Sequence, residues 1–149
     1  MRLTAAQQDR AQGVLVASAV GDALGAGYEF GSAPYLGWPA MIGGGLGGFA
    51  PGEWTDDTAQ AVAIAEVAAT GADLREESSL DAVAQRFAEW YAEGPADVGI
   101  QTAAVLGAAG RSPSAATMQQ SAGDVHRRSG MPWVRATSSA RRPTLAGPR

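Results

Sequence analysis

The amino-acid sequence predicts an all-α protein. Apolar residues recur at the three- and four-residue spacing of amphipathic helices, and a sustained alternation of apolar and polar residues, which is typical of strands, does not occur. Alanine-rich stretches flanked by capping residues point the same way. The 149 residues suit one domain. We predict a compact helical domain over residues 1–128 and a disordered tail, rich in Arg, Pro and Ser, over residues 129–149.

The first helix begins with a recognisable cap. Thr4 and Gln7 form the T-x-x-Q pattern of a capping box, and apolar residues at helical spacing continue to about Val20. The segment GDALGAGYEFG follows at residues 21–31, and its glycines predict close packing and then a turn. We expect Asp22 in this segment to bond the loop backbone.

A long glycine-rich loop comes next. Residues 31–53 hold eight glycines and three prolines, and irregular loops of this length are usually functional or disordered. The aromatic residues Tyr35, Trp38 and Phe49 favour a packed loop. The run GGGLGGF lacks the Lys-Ser or Lys-Thr of a phosphate-binding P-loop, so a flexible or tight turn is the simpler interpretation. Backbone N–H groups that approach a ligand's phosphates there are the alternative.

Four further helices are predicted after this loop. They cover about residues 55–70, 79–93, 98–109 and 114–120. Gly71 is expected to end the first of these, and Asp97 and Ser114 are expected to cap the last two. The third helix of the chain carries an apolar stripe that ends before Gly94.

The distribution of charge separates the tail from the rest of the chain. Residues 1–126 contain all 15 acids and five arginines, whereas residues 127–149 contain six arginines and no acid.

The chain has no cysteine, which excludes disulfides and thiolate chemistry. Neither a membrane-length apolar stretch nor the apolar core of a signal peptide is present, so we expect a cytoplasmic location.

Two adjacent carboxylates in the stretch WTDDT raise the question of chemistry. One interpretation is helix capping, with Thr55 as N-cap and with Asp56 and Asp57 opposing the positive end of the helix dipole. The other is a site for a hard divalent cation, because Mg²⁺ and Mn²⁺ prefer carboxylate and hydroxyl oxygens. Both roles are compatible. The pattern does not match an EF-hand or a zinc-protease helix, and the single histidine, His126, is expected to be solvated.

Three segments together resemble the ADP-ribosylglycohydrolase family. They are RAQGVLVASAVGDALGAGYEF at 10–30, GEWTDDTAQAVAIAE at 52–66 and FAEWYAEGPADVGIQT at 87–102. The resemblance implies an all-α fold, a dinuclear Mg²⁺ or Mn²⁺ centre, and hydrolysis of the glycosidic bond that joins ADP-ribose to a side chain or small molecule.

The resemblance also assigns roles to individual residues. Thr55, Asp56 and Asp57 match metal ligands. Glu29 matches the acidic residue that works beside the metals, and we expect it to move the proton of the reaction. In the segment PADVG, Asp97 and Gly99 match a stretch that contacts the ribose end of the ligand.

The chain departs from the family pattern in its second half. Family members are generally much longer, and a later D-x-D-T-type block completes their metal site; this sequence has no such block. We therefore expect a truncated member with impaired activity. A frame shift or premature end of a longer reading frame is the hypothesis for its unusual tail, and resequencing the locus would refute it if no D-x-D-T block lay downstream.

Other functions remain open at this stage. A non-catalytic ADP-ribose-binding module, or an inactive fragment, is the main alternative to the enzyme. Missing covering helices would expose apolar faces, so self-association is expected. The six arginines of the tail could neutralise nucleic-acid phosphates, but the remaining chain is acidic and has no nucleic-acid recognition motif, which argues against such a partner.

Overall fold

The structure, a computed structural model, describes residues 3–111 and 113–129. It contains five α-helices, which are α1 (Ala5–Gly25), α2 (Asp56–Ala69), α3 (Glu77–Ala92), α4 (Ile100–Ala109) and α5 (Ala115–Ser129). A 3₁₀ segment, Ala26–Gly31, continues directly from α1. The described residues form no strand beyond one isolated bridge, so the predicted all-α class is confirmed.

Local sequence signals explain where α1 and α2 begin and end. The Thr4 side chain accepts a hydrogen bond from the Gln7 amide, and the Gln7 side chain accepts one from the Thr4 amide, which confirms the predicted capping box. Gly71 follows the C-cap of α2 with a φ of 86°, the left-handed conformation that favours glycine.

Three predicted helix boundaries were wrong. Helix α1 continues past its predicted end at about Val20 and runs to Gly25. Helix α4 begins at Ile100 with Gly99 at its N-cap, so Asp97 does not cap it. Helix α5 is capped by Ser114, as predicted, but runs to Ser129 instead of Gln120. An ion pair between Asp124 and Arg127 and the basic residues of the last turn favour this extension. The predicted tail covers residues 129–149; Ser129 instead ends α5, and residues 130–149 lie outside the described residues.

The helices pack around α3. Helices α2, α4 and α5 all contact α3, and α4 also packs on α5, while α1 packs on α2. Small side chains dominate the interior of the described part of the chain, where five of the eight buried apolar residues are alanines: Ala23, Ala26, Ala63, Ala84 and Ala88. Such residues allow helices to approach closely. None of the described helices has the length and apolar character needed to span a membrane.

The glycine-rich loop is only partly packed. Gly44 and Phe49 exchange backbone hydrogen bonds of 2.7 and 2.9 Å and close a tight turn, and Phe49 is buried. Tyr35 is 62% exposed, but its ring packs edge-on against Tyr28 with the ring centroids 6.2 Å apart. Trp38 is 90% exposed, so the prediction that this residue packs the loop was wrong. The turn itself lies against the 3₁₀ segment, because a Cβ at Gly45 would stand 2.2 Å from the Ala26 carbonyl oxygen.

Candidate functional site

Three segments that lie far apart in the sequence meet at the N-terminus of α2. They are the 3₁₀ segment with Glu29, the start of α2 with Thr55, Asp56 and Asp57, and the loop between α3 and α4 with Asp97 and Gly99. Every residue predicted to belong to the site is therefore in this region. The structure brings them together, and their chemical roles remain predictions.

Asp22, in the last two turns of α1, ties α1 to the start of α2. Its Oδ2 accepts hydrogen bonds from the Thr55 amide at 2.9 Å, the Thr58 amide at 3.0 Å and the Thr58 hydroxyl at 2.5 Å. Its Oδ1 accepts a bond from the Thr55 hydroxyl at 2.7 Å. The expectation that Asp22 bonds loop backbone is confirmed at the Thr55 amide, which precedes α2. Its bonds to the Thr58 amide and to the two threonine hydroxyls were not predicted.

This arrangement changes how α2 is capped. Thr55 occupies the N-cap position, as predicted, but its side chain does not cap the helix. The carboxylate of Asp22 takes over that function, since it satisfies the N–H of Thr58, one of the first amides of α2 that have no partner within the helix. A negative charge at this position also complements the positive end of the helix dipole.

The bonds to Asp22 have an electrostatic consequence. Burial raises the pKa of Asp22, but the hydrogen bonds from Thr58 and Thr55 together outweigh it, so the pKa lies below its ordinary value. Asp22 is therefore a stable anion beside the other carboxylates.

Glu29 lies where the chain leaves the 3₁₀ segment. Its backbone is extended, with φ −54° and ψ 137°, and the next residue, Phe30, has a φ of 50°. This break turns the chain away from the helical path and leaves the Glu29 side chain accessible to solvent.

The environment of Glu29 is strongly negative. Partial burial raises the pKa of Glu29, and four negative charges raise it further. In decreasing order these charges come from Asp97, Asp56, Asp57 and Asp22. Asp57 is affected in the same way, because burial and then the charges of Asp56 and Asp22 raise its pKa. All the charges that act on Glu29 and Asp57 are negative, so none of them offsets the repulsion among the carboxylates.

The loop before α4 approaches α2 through its backbone. The Gly99 amide donates a long hydrogen bond of 3.4 Å to Asp56 Oδ2. Asp97 is half-buried nearby, and its charge makes the largest electrostatic contribution to the raised pKa of Glu29. Both predicted substrate-binding residues therefore border the carboxylate cluster.

An open cavity of about 540 Å³ adjoins this cluster. Its walls combine the carboxylates of Asp22, Glu29 and Asp57 with small residues of α1 and the 3₁₀ segment: Ala17, Ser18, Gly21, Gly25 and Ala26. A second cavity of about 550 Å³ lies among α3, α4 and α5 and is lined mainly by apolar side chains. We place the candidate site at the first cavity, because the second contains none of the predicted site residues.

The donor groups suit a hard divalent cation in chemical type. Asp56 and Asp57 supply carboxylate oxygens, and Thr55 supplies a hydroxyl whose proton is already given to Asp22. Within residues 3–111 and 113–129, however, no three Asp, Glu or His side chains form a group that could hold a metal ion. The start of α2 by itself therefore offers two carboxylates and one hydroxyl, which are fewer oxygen ligands than such an ion takes.

Asp22 is the member of the site that sequence reasoning missed. Its threonine partners lie 33 and 36 residues further along the chain, so no helical spacing connects them. A local signal could have drawn attention to it. An aspartate surrounded by small apolar residues and glycines, near the end of a helix, must find hydrogen-bond donors elsewhere if it is partly buried.

Comparison with known proteins agrees with these features. A family model for ADP-ribosylglycohydrolase matches residues 3–141. The chain is 37% identical over 86 residues to an ADP-ribosylarginine hydrolase of Serratia proteamaculans. The matched region covers 58% of this chain and 22% of that protein. It is 45% identical over 58 residues to an ADP-ribosylarginine hydrolase of Pseudomonas putida, with coverage of 39% and 16%.

A further relative has a different named substrate. The chain is 37% identical over 98 residues to an ADP-ribosyl-[dinitrogen reductase] glycohydrolase of Rhodospirillum rubrum. The matched region covers 61% of this chain and 31% of that protein. The chain thus spans less than a third of the length of each of these relatives. No solved structure matches it. The family match over most of the sequence, together with the helical fold, shows that the chain belongs to the ADP-ribosylglycohydrolase family.

Proposed function

We propose that this chain provides one half of a metal-dependent site that hydrolyses the glycosidic bond between ADP-ribose and a modified side chain or small molecule. The observation that carries the proposal is the convergence of Glu29, the start of α2 and the loop before α4 on one cluster of carboxylates. A cavity lined by Glu29 and Asp57 adjoins this cluster. ADP-ribosylated arginine is the first substrate to test, because two of the relatives are named ADP-ribosylarginine hydrolases.

The proposed cation is Mg²⁺ or Mn²⁺, bound as a pair in the completed site. Thr55, Asp56 and Asp57 would hold it with their side-chain oxygens, and the repulsion among the carboxylates favours a positively charged ligand. When bound, divalent ions of this kind orient hydroxyl groups and lower the pKa of a coordinated water. Because the described residues supply only part of the ligand set, we expect weaker cation binding and slower turnover than a complete site would give.

The chain's own residues would then act on the substrate. Cleavage at the anomeric carbon of ribose passes through an oxocarbenium-like state, which nearby negative charge stabilises. Glu29, with its raised pKa, accepts a proton from the water as the water oxygen bonds to the anomeric carbon and the bond to the leaving nitrogen breaks. The leaving nitrogen takes up this proton from Glu29, so the products are free ADP-ribose and the restored side chain. Asp97 and Gly99 would orient the ribose at the edge of the cavity.

The test combines binding and turnover on the full 149-residue chain. ADP-ribose is titrated by calorimetry with Mg²⁺, with Mn²⁺ and with a chelator, and release of ADP-ribose from ADP-ribosylated arginine is measured in parallel. We expect metal-dependent binding and release, both lost in Asp57→Asn. A matched control is Asp9→Asn, which removes the same charge from an exposed position on α1.

Other outcomes separate the alternatives. Saturable binding without release would make the chain an ADP-ribose-binding module. Absence of binding by a chain that is helical by circular dichroism would contradict the proposal and indicate an inactive fragment in which the aspartate pair only supports the helix.

A further inference from the structure

Asp22 holds the two residues that flank the aspartate pair of α2. It bonds both the amide and the hydroxyl of Thr55, and both the amide and the hydroxyl of Thr58. Asp56 and Asp57 lie between these two anchor points. The backbone turn that carries both aspartates is thus fixed at each end by a single carboxylate on another helix.

The direction of the Thr55 hydroxyl follows from the same contacts. A hydroxyl group has one proton and two lone pairs. All the hydrogen bonds of Asp22 are ones in which it can act as the acceptor, and an ionised carboxylate has no proton to give, so in the 2.7 Å contact Thr55 donates its proton to Asp22 Oδ1. The lone pairs of Thr55 Oγ1 then point away from Asp22 and are free to face a cation.

We propose that Asp22 is a positioning residue of the cation site, which acts through Thr55 and through the turn that carries Asp56 and Asp57. The inference rests on the proposed function and deepens it. Asp22 does not contact the cation in this scheme. It directs the ligand oxygens toward one point, in the way that outer hydrogen-bond partners commonly orient the ligands of metal sites.

A purely structural role is the competing explanation, and the fold contains a suitable comparison. Asp81 of α3 accepts a 2.6 Å hydrogen bond from the Ala115 amide at the start of α5. It too is an aspartate of one helix that satisfies an amide at the beginning of another. Asp81 is not among the residues that line the carboxylate cavity, so its loss should affect stability without affecting a cation.

The experiment measures Mn²⁺ affinity of the full chain from the electron paramagnetic resonance signal of the free ion, and thermal unfolding without metal. Asp22→Asn keeps the size of the side chain but replaces one of its two acceptor oxygens by an NH₂ group. One oxygen then remains for the four N–H and O–H donors of Thr55 and Thr58. The new NH₂ group can also donate to the lone pairs of the Thr55 hydroxyl. We expect Asp22→Asn to weaken Mn²⁺ binding by about 10- to 100-fold. Asp81→Asn should leave the affinity unchanged, although both variants lower the melting temperature.

A second pair of variants keeps the test decisive if Asp22→Asn does not fold. Thr55→Val and Thr58→Val each remove one buried hydroxyl that bonds Asp22. Thr55→Val should weaken Mn²⁺ binding much more than Thr58→Val, because the Thr58 amide still holds its end of the turn. Thr55→Ser, which restores the hydroxyl, should recover the affinity.

Three results would overturn the inference. Wild-type Mn²⁺ affinity in a folded Asp22→Asn, equal losses in Asp22→Asn and Asp81→Asn, or equal losses in the two valine variants would each leave Asp22 with a structural role alone. If the wild-type chain itself bound no Mn²⁺, the proposed function would fail first, and the inference with it.

Discussion

Asp22 and Thr58 are joined by two hydrogen bonds across 36 residues of sequence. The Thr58 amide and hydroxyl donate to the same oxygen, Oδ2 of Asp22, at 3.0 and 2.5 Å. Thr58 is only 3% exposed, so these donors have no access to bulk water once the helix has packed. The contact is therefore important for stability as well as for the geometry of the site.

The first prediction concerns this contact. Asp22→Ala leaves the buried hydroxyls of Thr55 and Thr58 without an acceptor, and each unsatisfied group costs about 1–3 kcal/mol. We expect the free energy of unfolding to fall by about 2–4 kcal/mol. Urea denaturation followed by circular dichroism measures this loss. Asp81→Ala, which removes one amide contact, should cost about 1 kcal/mol, and an equal cost for both variants would contradict the prediction.

The second prediction concerns pH. The pKa of Glu29 is raised in the folded state, so the folded chain binds a proton more tightly there than the unfolded chain does. The ionised carboxylate thus lowers stability at neutral pH. The lost stability is regained as the pH falls through the raised pKa of the folded chain toward 4.5, the ordinary pKa of a glutamate.

Glu29→Gln imitates the protonated side chain and tests this effect. We expect the variant to melt at a higher temperature than the wild type at pH 7 without metal, and the difference to disappear below about pH 4. Differential scanning calorimetry across this range provides the measurement. Glu53→Gln, outside the cluster, is the control, and a pH-independent difference for Glu29→Gln would show that repulsion is not the cause.

The third prediction tests the close contact between the 3₁₀ segment and the glycine-rich loop. A Cβ at Gly27 would lie 2.4 Å from Ile42 Cγ1 and 2.5 Å from the Gly43 carbonyl oxygen. We expect Gly27→Ala to reduce the free energy of unfolding by about 1–3 kcal/mol, because the backbone carbonyl must move. Gly13→Ala, inside α1 and with no atom within 4 Å of the added carbon, should instead stabilise the chain by up to about 1 kcal/mol.

The fourth prediction addresses self-association. Val16 is 63% exposed and Val20 is 47% exposed, and the two residues are one helical turn apart on α1. We expect the sedimentation coefficient of the chain to rise with concentration, and this rise to be reduced in Val16→Glu/Val20→Glu. Gln8→Glu/Gln12→Glu adds the same charge to the same helix without removing apolar surface. If both double variants behaved alike, α1 would not be the surface involved.

Local signals predicted the parts of the fold that depend on neighbouring residues. The capping box of Thr4 and Gln7 acts over three positions, and its prediction is confirmed. The turn at Gly71 likewise needs only one residue that tolerates a positive φ. The continuation of α5 past Gln120 was missed because it depends on packing against α3 and α4, which local sequence does not show.

The candidate site also contains residues that local sequence reveals and residues that only tertiary packing brings together. The pair Asp56 and Asp57 stands out in the sequence, and the family resemblance adds Glu29 and Asp97. The partnership of Asp22 with two distant threonines is a product of tertiary packing, so no spacing could reveal it. For the same reason the exposure of Trp38 could not be read from its apolar character, since burial depends on what the rest of the fold places over a loop.

Because its interior is rich in alanine, most substitutions in the core of this protein add atoms, and few remove them. At a buried leucine, most changes remove atoms and leave a void. At Ala63, Ala84 or Ala88, every replacement except glycine adds atoms to a space that is already filled. Random substitution in this core would therefore mostly push helices apart. Because α2 is one of the helices held this way, such changes would shift the start of α2 and disturb the carboxylate geometry from a distance.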